Sequence, residues 1–370
     1  MPKKTTGEDE SVHQFMSRRL GTAAAANLVS AMMHGIYAGD SRKLSIKSVL
    51  PSLVELENTH GALSRALLPR WLNPRHTLPK TGSVIPEETT LDHEIIKCAR
   101  NTSIYSFPEG LREIVDAIET HLVASPNVSI WMDSPCEAIS HSNEGFKIQT
   151  RDTAELQADR LVSAIPAANL AGLFPDLPHL AHNPRANVGV VDVVLLQPGG
   201  SVRLPINGFG YLVPRSTHNP DEILGMILDS SAVPNQGSSG FVKVTVMIGG
   251  PYWDHLTTFP SPDDLESRAL RALETQLGLP KEQIDEQVQM VRARVLRDTI
   301  PQYLVGHVER IAELKSTVSK TYNGLTLVGA SYAGVGVNDC IAGAMKVCES
   351  IARSESGNKH DGTTGLEDIA

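Results

Sequence analysis

Apolar residues at Leu111, Ile114, Val115, Ile118 and Leu122 recur at the spacing of one helix face, so this stretch predicts a strongly amphipathic helix. From Ser11 to about Leu72 the pattern is also helical: Val12, Phe15 and Met16 share a face, and Leu28, Met32 and Met33 continue it in a second helix. Gly35 and Gly39 are expected to interrupt that helix before Asp40, and the pattern resumes over Leu44 to Leu56 through Ile46, Val49, Leu50 and Leu53. Strands are expected at Val128 to Met132, Gly145 to Thr150 and Arg160 to Ala164. From Val188 to about Gly249, the runs VGVVDVVLL, GFGYLVP, ILGMILD and FVKVTVMIGG are separated by Pro, Gly, Asn and Ser turns, which predicts an antiparallel sheet. Ser261 then caps a helix with Pro262 in its first turn and Leu265, Ala269, Ala272, Leu273 and Leu277 facing inward, stopped by Gly278 and Pro280.

The stretch LTLVGASYAGVGVNDCIAGAMKVC, Leu325 to Cys348, reads as a strand, a glycine-punctuated loop and a helix capped at Asn338 or Asp339. Gly334 and Gly336 would let the backbone approach a planar or anionic ligand, and a helix N-terminus supplies partial positive charge there. On glycine spacing alone, an ordinary strand-to-helix turn fits equally well.

A net charge of −9 over 370 residues, with no long basic stripe, argues against a nucleic-acid partner. Cys98, Cys136, Cys340 and Cys348 form neither a CxxC pair nor a secreted disulfide framework and read as reduced core thiols. His residues are scattered, so no metal site is called. No signal peptide opens the chain, and Leu20 to Gly39, though uncharged, carries Thr22, Asn27, Ser30 and His34, which favours a buried or interfacial helix over a membrane span.

The string ASYAGVGVNDCI resembles the C-terminal flavin-contacting segment of the protoporphyrinogen oxidase family. GIYAGD with KLS and LPSL (Gly35 to Leu53), YSFPEGL, SAIPA, GFGYLVP, LGMILDS and IPQYLVGH follow in the family's order. The resemblance covers about residues 10 to 352. It implies FAD as cofactor, protoporphyrinogen IX and molecular oxygen as reactants, and oxidation to protoporphyrin IX in haem synthesis. It further implies a mixed α/β and α+β fold made of a Rossmann-like FAD-binding domain, an antiparallel-sheet substrate domain and a helical membrane-associating subdomain. The expected division is a disordered leader (1–10), the helical subdomain (11–100, with a Pro-containing linker at 72–90), part of the FAD domain (101–180), the substrate domain (181–290), the FAD-domain return (291–353) and a disordered tail (354–370). The resemblance places Gly334, Val335, Gly336, Val337, Asn338 and Cys136 on the cofactor. It places Leu212, Ile227 and Met247 on an apolar substrate slot, with Gly35 and Gly39 offering backbone carbonyls to pyrrole N–H groups; ordinary sheet packing remains open for the first three. No catalytic side chain is identified. A mitochondrial inner-membrane location follows from the family alone, and a homodimer is compatible with it.

An FAD enzyme of this class should open with a strand and a GxGxxG turn, followed by a ribose-binding acid; neither occurs in this chain, and the family's propionate-anchoring arginine also precedes the matched region. The isolated chain is therefore expected to bind FAD poorly and to oxidise little protoporphyrinogen, with Leu325, Leu327 and Val328 left facing water. Two alternatives stay open: another flavin amine-oxidase-like oxidoreductase, or a non-catalytic porphyrin- or partner-binding remnant.

Overall fold

The computed structural model describes residues 8–61, 104–151, 155–197, 204–206, 208–233, 240–355, 363–367 and 369. The linker expected at 72–90, Cys98 and the start of the leader lie outside them. Helices of eight or more residues are α1 (Val12–Leu20), α2 (Ser30–Tyr37), α3 (Pro51–His60), α4 (Arg112–Val123), α5 (Pro262–Thr275), α6 (His307–Thr321) and α7 (Val337–Glu355). Strands are β1 (Cys136–Ser142), β2 (Gly145–Thr150), β3 (Leu156–Ala158), β4 (Leu161–Ser163), β5 (Arg185–Leu196), β6 (Gly210–Leu212), β7 (Ile223–Ile227), β8 (Phe241–Gly249), β9 (Val288–Pro301) and β10 (Leu325–Leu327).

The largest sheet is antiparallel, in the order β6-β7-β8-β5-β9. Alternation decides which face is covered. Val191, Val193 and Leu195 on β5 and Val242, Val244 and Val246 on β8 point into a core shared with Trp253 and with Leu265, Ala269 and Leu273 of α5. That helix starts as its sequence implies, with the Ser261 side chain accepting the Asp264 N–H. The opposite face carries Val188, Val190 and Met247.

The helical region is tied together by charge as well as by packing. Ser11 and Gln14 form a reciprocal capping box at the start of α1. At its end, Arg18 and Arg19 both reach buried Glu57 of α3, and Arg18 also meets Glu10 at 2.6 Å. Glu10 and Asp9 are thus held in place, Asp9 accepting the Gly306 N–H at 2.8 Å, whereas this end of the leader was expected to be free.

Several expectations are corrected. Val128 to Met132 forms no strand, because no described strand runs beside it and its backbone groups lack a ladder to join. Gly35 lies inside α2 rather than interrupting it; the helix ends at Tyr37, and Ala38 just after it adopts the left-handed conformation. Helix α4 forms as its periodicity implies but buries none of its residues. Leu325 and Leu327 are 1% and 0% exposed, not open to water. Strand β10 pairs in parallel with β4, and Phe146, Leu170, Phe174 and Leu314 pack against it. Its other edge is met by the described end of the expected tail: the Leu327 N–H donates to the Thr364 carbonyl (2.8 Å), the Thr326 hydroxyl to Thr363 O (3.0 Å), and Leu366 is buried.

Candidate functional site

Strand β10 delivers the chain to the glycine loop that precedes α7. Gly334 has φ +82°, and a Cβ there would lie 2.5 Å from the Asp339 side chain. At Gly336 a Cβ would lie 2.9 Å from Asp339 Oδ2, which accepts the Gly336 N–H at 3.2 Å. Gly334 is thus required by its left-handed backbone and by the Asp339 side chain folding back over the loop, while at Gly336 only the movable end of that carboxylate is close. Asp339 sits in the first turn of α7 rather than capping it, since the helix begins at Val337; Asn338 is also inside and accepts a hydrogen bond from the Tyr105 hydroxyl at 2.8 Å. Val335 packs against the helical core, while Val337 is exposed.

Beside this loop lies a cavity of about 950 Å³, lined in part by Tyr37, Tyr303, Tyr332, Gly334 and Asp339. The Tyr303 hydroxyl donates to Ala330 O at 2.6 Å, and its ring stacks on His307 at 4.4 Å between centroids. His307 Nε2 bonds the Tyr332 carbonyl at 2.9 Å, and Asn183 Nδ2 meets its Nδ1 at 2.9 Å, which together fit a neutral ring protonated on Nε2. Burial pulls the His307 pKa down to about 4. Burial likewise pushes the Tyr37 hydroxyl up to about 12, so it stays protonated at neutral pH. Cys136, at the first position of β1, is a free thiol whose pKa burial raises. No hydrogen bond joins it to the glycine loop.

The three residues placed on a substrate slot come together on the face of the large sheet opposite the α5 core. Cross-strand pairing sets Leu212, Gly225, Met247, Val190 and Arg294 in one row across β6, β7, β8, β5 and β9. The next row holds Gly210, Ile227, Thr245, Asp192 and Arg292. Gly35 joins them through α2, where a Cβ would lie 2.7 Å from the end of the Leu212 side chain, so a larger residue would require Leu212 to move. Gly39 is elsewhere, with its α-carbon against Gln302, whose Nε2 donates to the Tyr37 carbonyl at 2.8 Å. One carbonyl of the Gly35 to Gly39 stretch is thereby already engaged.

Polar groups on that face escaped the sequence reading. The Thr245 hydroxyl lies 2.9 Å from Asp192 and 2.8 Å from Asp229, and Lys243 Nζ is 3.1 Å from Asp192. Burial raises the Asp229 pKa, against the pull of the Thr245 hydrogen bond and Lys243. Alternation within FVKVTVMIGG places Lys243, Thr245 and Met247 on one side, a signal that was available; the pairing that brings Asp192 opposite was not.

The sequence pattern of the flavin containing amine oxidoreductases matches residues 1–352. The chain belongs to that family, in its protoporphyrinogen oxidase branch. It is 37% identical to the protoporphyrinogen oxidase of Homo sapiens over 354 residues, covering 94% of this chain and 70% of the human protein. The Schizosaccharomyces pombe protoporphyrinogen oxidase is 33% identical over 361 residues, with 94% and 69% covered. A crystal structure described as a candidate protoporphyrinogen oxidase from Exiguobacterium sp. 255-15 superposes with a TM-score of 0.72 at 25% identity, over 95% of this chain and 69% of that one. This flavoprotein family implies FAD and an oxidoreductase activity. The residues present fit the ring end of that cofactor: the first N–H groups of α7 project from the helix N-terminus and suit an electron-rich edge, and three tyrosines line the adjoining cavity.

Proposed function

We propose that this chain oxidises protoporphyrinogen IX to protoporphyrin IX in haem synthesis, with FAD as cofactor and molecular oxygen as acceptor. The observation that carries the reading is the identity to protoporphyrinogen oxidases along 94% of the chain, which includes both the α7 loop and the sheet face. Bound FAD supplies the electron chemistry of the reaction. Backbone from Gly334 to Asn338 would hold its ring, while Leu212, Ile227 and Met247 offer the apolar surface that a flexible macrocycle needs. Gly35 sets the depth of this surface by letting α2 close on Leu212. Cys136 is assigned to the adenine side of the cofactor by family position.

Association with the mitochondrial inner membrane is part of the same proposal. Among the described residues no helix is long and apolar enough to cross a membrane. Leu20, Leu28 and Ile36 nevertheless expose apolar side chains from the helical region, which supports surface contact. Flotation with liposomes, with and without residues 11–56, tests this; identical partitioning would exclude a role for the segment.

Function is tested by adding protoporphyrinogen IX and following porphyrin fluorescence, corrected for autoxidation, with and without excess FAD. Turnover that appears only with FAD is expected. A rate indifferent to FAD, together with no tetrapyrrole binding, would sink the reading.

A further inference from the structure

Among the described residues, four buried side-chain nitrogen or oxygen atoms have no hydrogen-bond partner, and three of them, Asn183 Oδ1, Arg310 Nε and Tyr332 Oη, belong to residues that line one small cavity. The fourth, Arg19 Nη2, lies against the Glu57 carboxylate, so its charge is met. The cavity measures about 10 Å³. It lies where the segment before β5, the first turn of α6 and the glycine loop meet, and Ile311 and Leu314 close it.

The three side chains are fixed by their other atoms and cannot turn to satisfy the orphans. Asn183 Nδ2 is held on His307 Nδ1 at 2.9 Å. Turning that amide over would set two acceptors against each other, because the proton of the neutral ring sits on Nε2, where it meets the Tyr332 carbonyl at 2.9 Å. Arg310 Nη1 and Nη2 donate to the carbonyls of Val305 and Leu304, both at 3.1 Å. Tyr332 is 2% exposed and packs in the core with Leu314 and Leu327. The remaining polar groups on the wall are engaged elsewhere: Ser331 Oγ accepts the Ala167 N–H at 3.0 Å, and His179 pairs with Glu313 at 2.8 Å. A buried donor or acceptor left without any partner bears its full desolvation cost, so three around one cavity point to a bridging guest.

We propose that this cavity holds one water molecule, which accepts the Arg310 Nε–H, donates to Asn183 Oδ1 and bonds the Tyr332 hydroxyl, tying the glycine loop to α6 and to the segment before β5. The volume is at the lower limit for a single water, which excludes larger guests. One donor, one acceptor and a hydroxyl that can act as either match the two hydrogens and two lone pairs of water. An ammonium ion would have no lone pair for Arg310, and an anion would face the Asn183 oxygen. His307 and Tyr332 also line the 950 Å³ cavity, so the water stands directly behind the wall of the candidate cofactor site. Through Asn183 it also keeps His307 in its Nε2-protonated form.

Tyr332→Phe in the 370-residue chain tests this, because a hydrated and a dry cavity give opposite signs. With water present, the substitution takes away one of its bonds, and the midpoint of urea denaturation falls. With a dry cavity it removes an orphan hydroxyl at nearly constant shape, and the midpoint rises. A fall is expected; a rise or no change would overturn the proposal. Amide exchange from Gly329 to Gly336 should quicken in the same variant, and unchanged protection would refute the tie to the loop. A crystal structure of the unaltered protein should show one density peak about 2.7–3.2 Å from all three atoms. An empty cavity, an Asn183 or Arg310 turned to satisfy its neighbour, or an anomalous peak there after a bromide soak would each sink the assignment to water.

Discussion

Met247 stands in its row between Gly225 and Val190, half-buried beside Ala38, Leu224 and Tyr252. A carboxylate there would put charge into the apolar part of the face, yet the α5 core on the other side of β8 would be untouched. Met247→Glu should therefore weaken a tetrapyrrole analogue more than it lowers the melting temperature; equal losses would show that Met247 serves packing alone. A second effect is expected at His307. Its ordinary pKa is 6.5, and the folded protein holds it near 4, so it is neutral in the fold. Below pH 6.5 the unfolded chain takes up a proton that the folded one refuses, and stability falls by about 1.4 kcal/mol per pH unit until about pH 4, on the order of 3 kcal/mol in all. Denaturant titrations at pH 7.5 and 5 should show this loss, and His307→Gln should reduce it. Parallel pH slopes would remove His307 as its source.

Strand β10 has three residues and β4 three, too few to hold a parallel pair together without cover. The cover comes from α6 on one side and from Thr363 to Leu366 at the edge. Deleting residues 363–370 should leave the Leu327 N–H without its partner and remove buried Leu366 from the core around β10, costing roughly 2–4 kcal/mol from one hydrogen bond and one apolar side chain. An unchanged denaturation midpoint would mean that the segment does not dock in solution. Helix α4 shows the reverse situation. Its spacing was plain from Leu111 to Leu122, but Leu111, Val115 and Ile118 are exposed, because periodicity specifies an apolar face and not what lies against it. The run at Val128 to Met132 failed as a strand for a related reason: β-favouring residues need a neighbour to pair with.

Considered as one molecule, the chain belongs to a flavoprotein family but carries no GxGxxG turn, the element that holds a dinucleotide pyrophosphate on a helix N-terminus. Protein purified without added FAD should accordingly be nearly colourless and gain turnover only with FAD in excess. Stoichiometric flavin absorbance on the purified chain would show that the α7 loop and its cavity suffice. Burial of Leu325 and Leu327 removes one expected source of instability, so soluble protein for this measurement is a reasonable expectation.

The order of elements, the antiparallel sheet from Val188 to Gly249, the Ser261 cap and the strand-loop-helix at Leu325 were readable from the chain, because period-2 and period-3.6 patterns, turn residues and caps are local signals. Family blocks such as GFGYLVP and ASYAGVGVNDCI carried the cofactor and substrate class. Cross-strand register was not readable: it puts Leu212 in line with Met247, sets Thr245 against Asp192, and leaves Arg292 and Arg294 on the same side. Nor was the closeness of the Asp339 carboxylate to Gly334 and Gly336, or the closing of β10 by residues near the chain's end. Each of these depends on which distant backbone groups find one another, a choice made by burial and hydrogen-bond satisfaction over the whole fold rather than by any window of sequence.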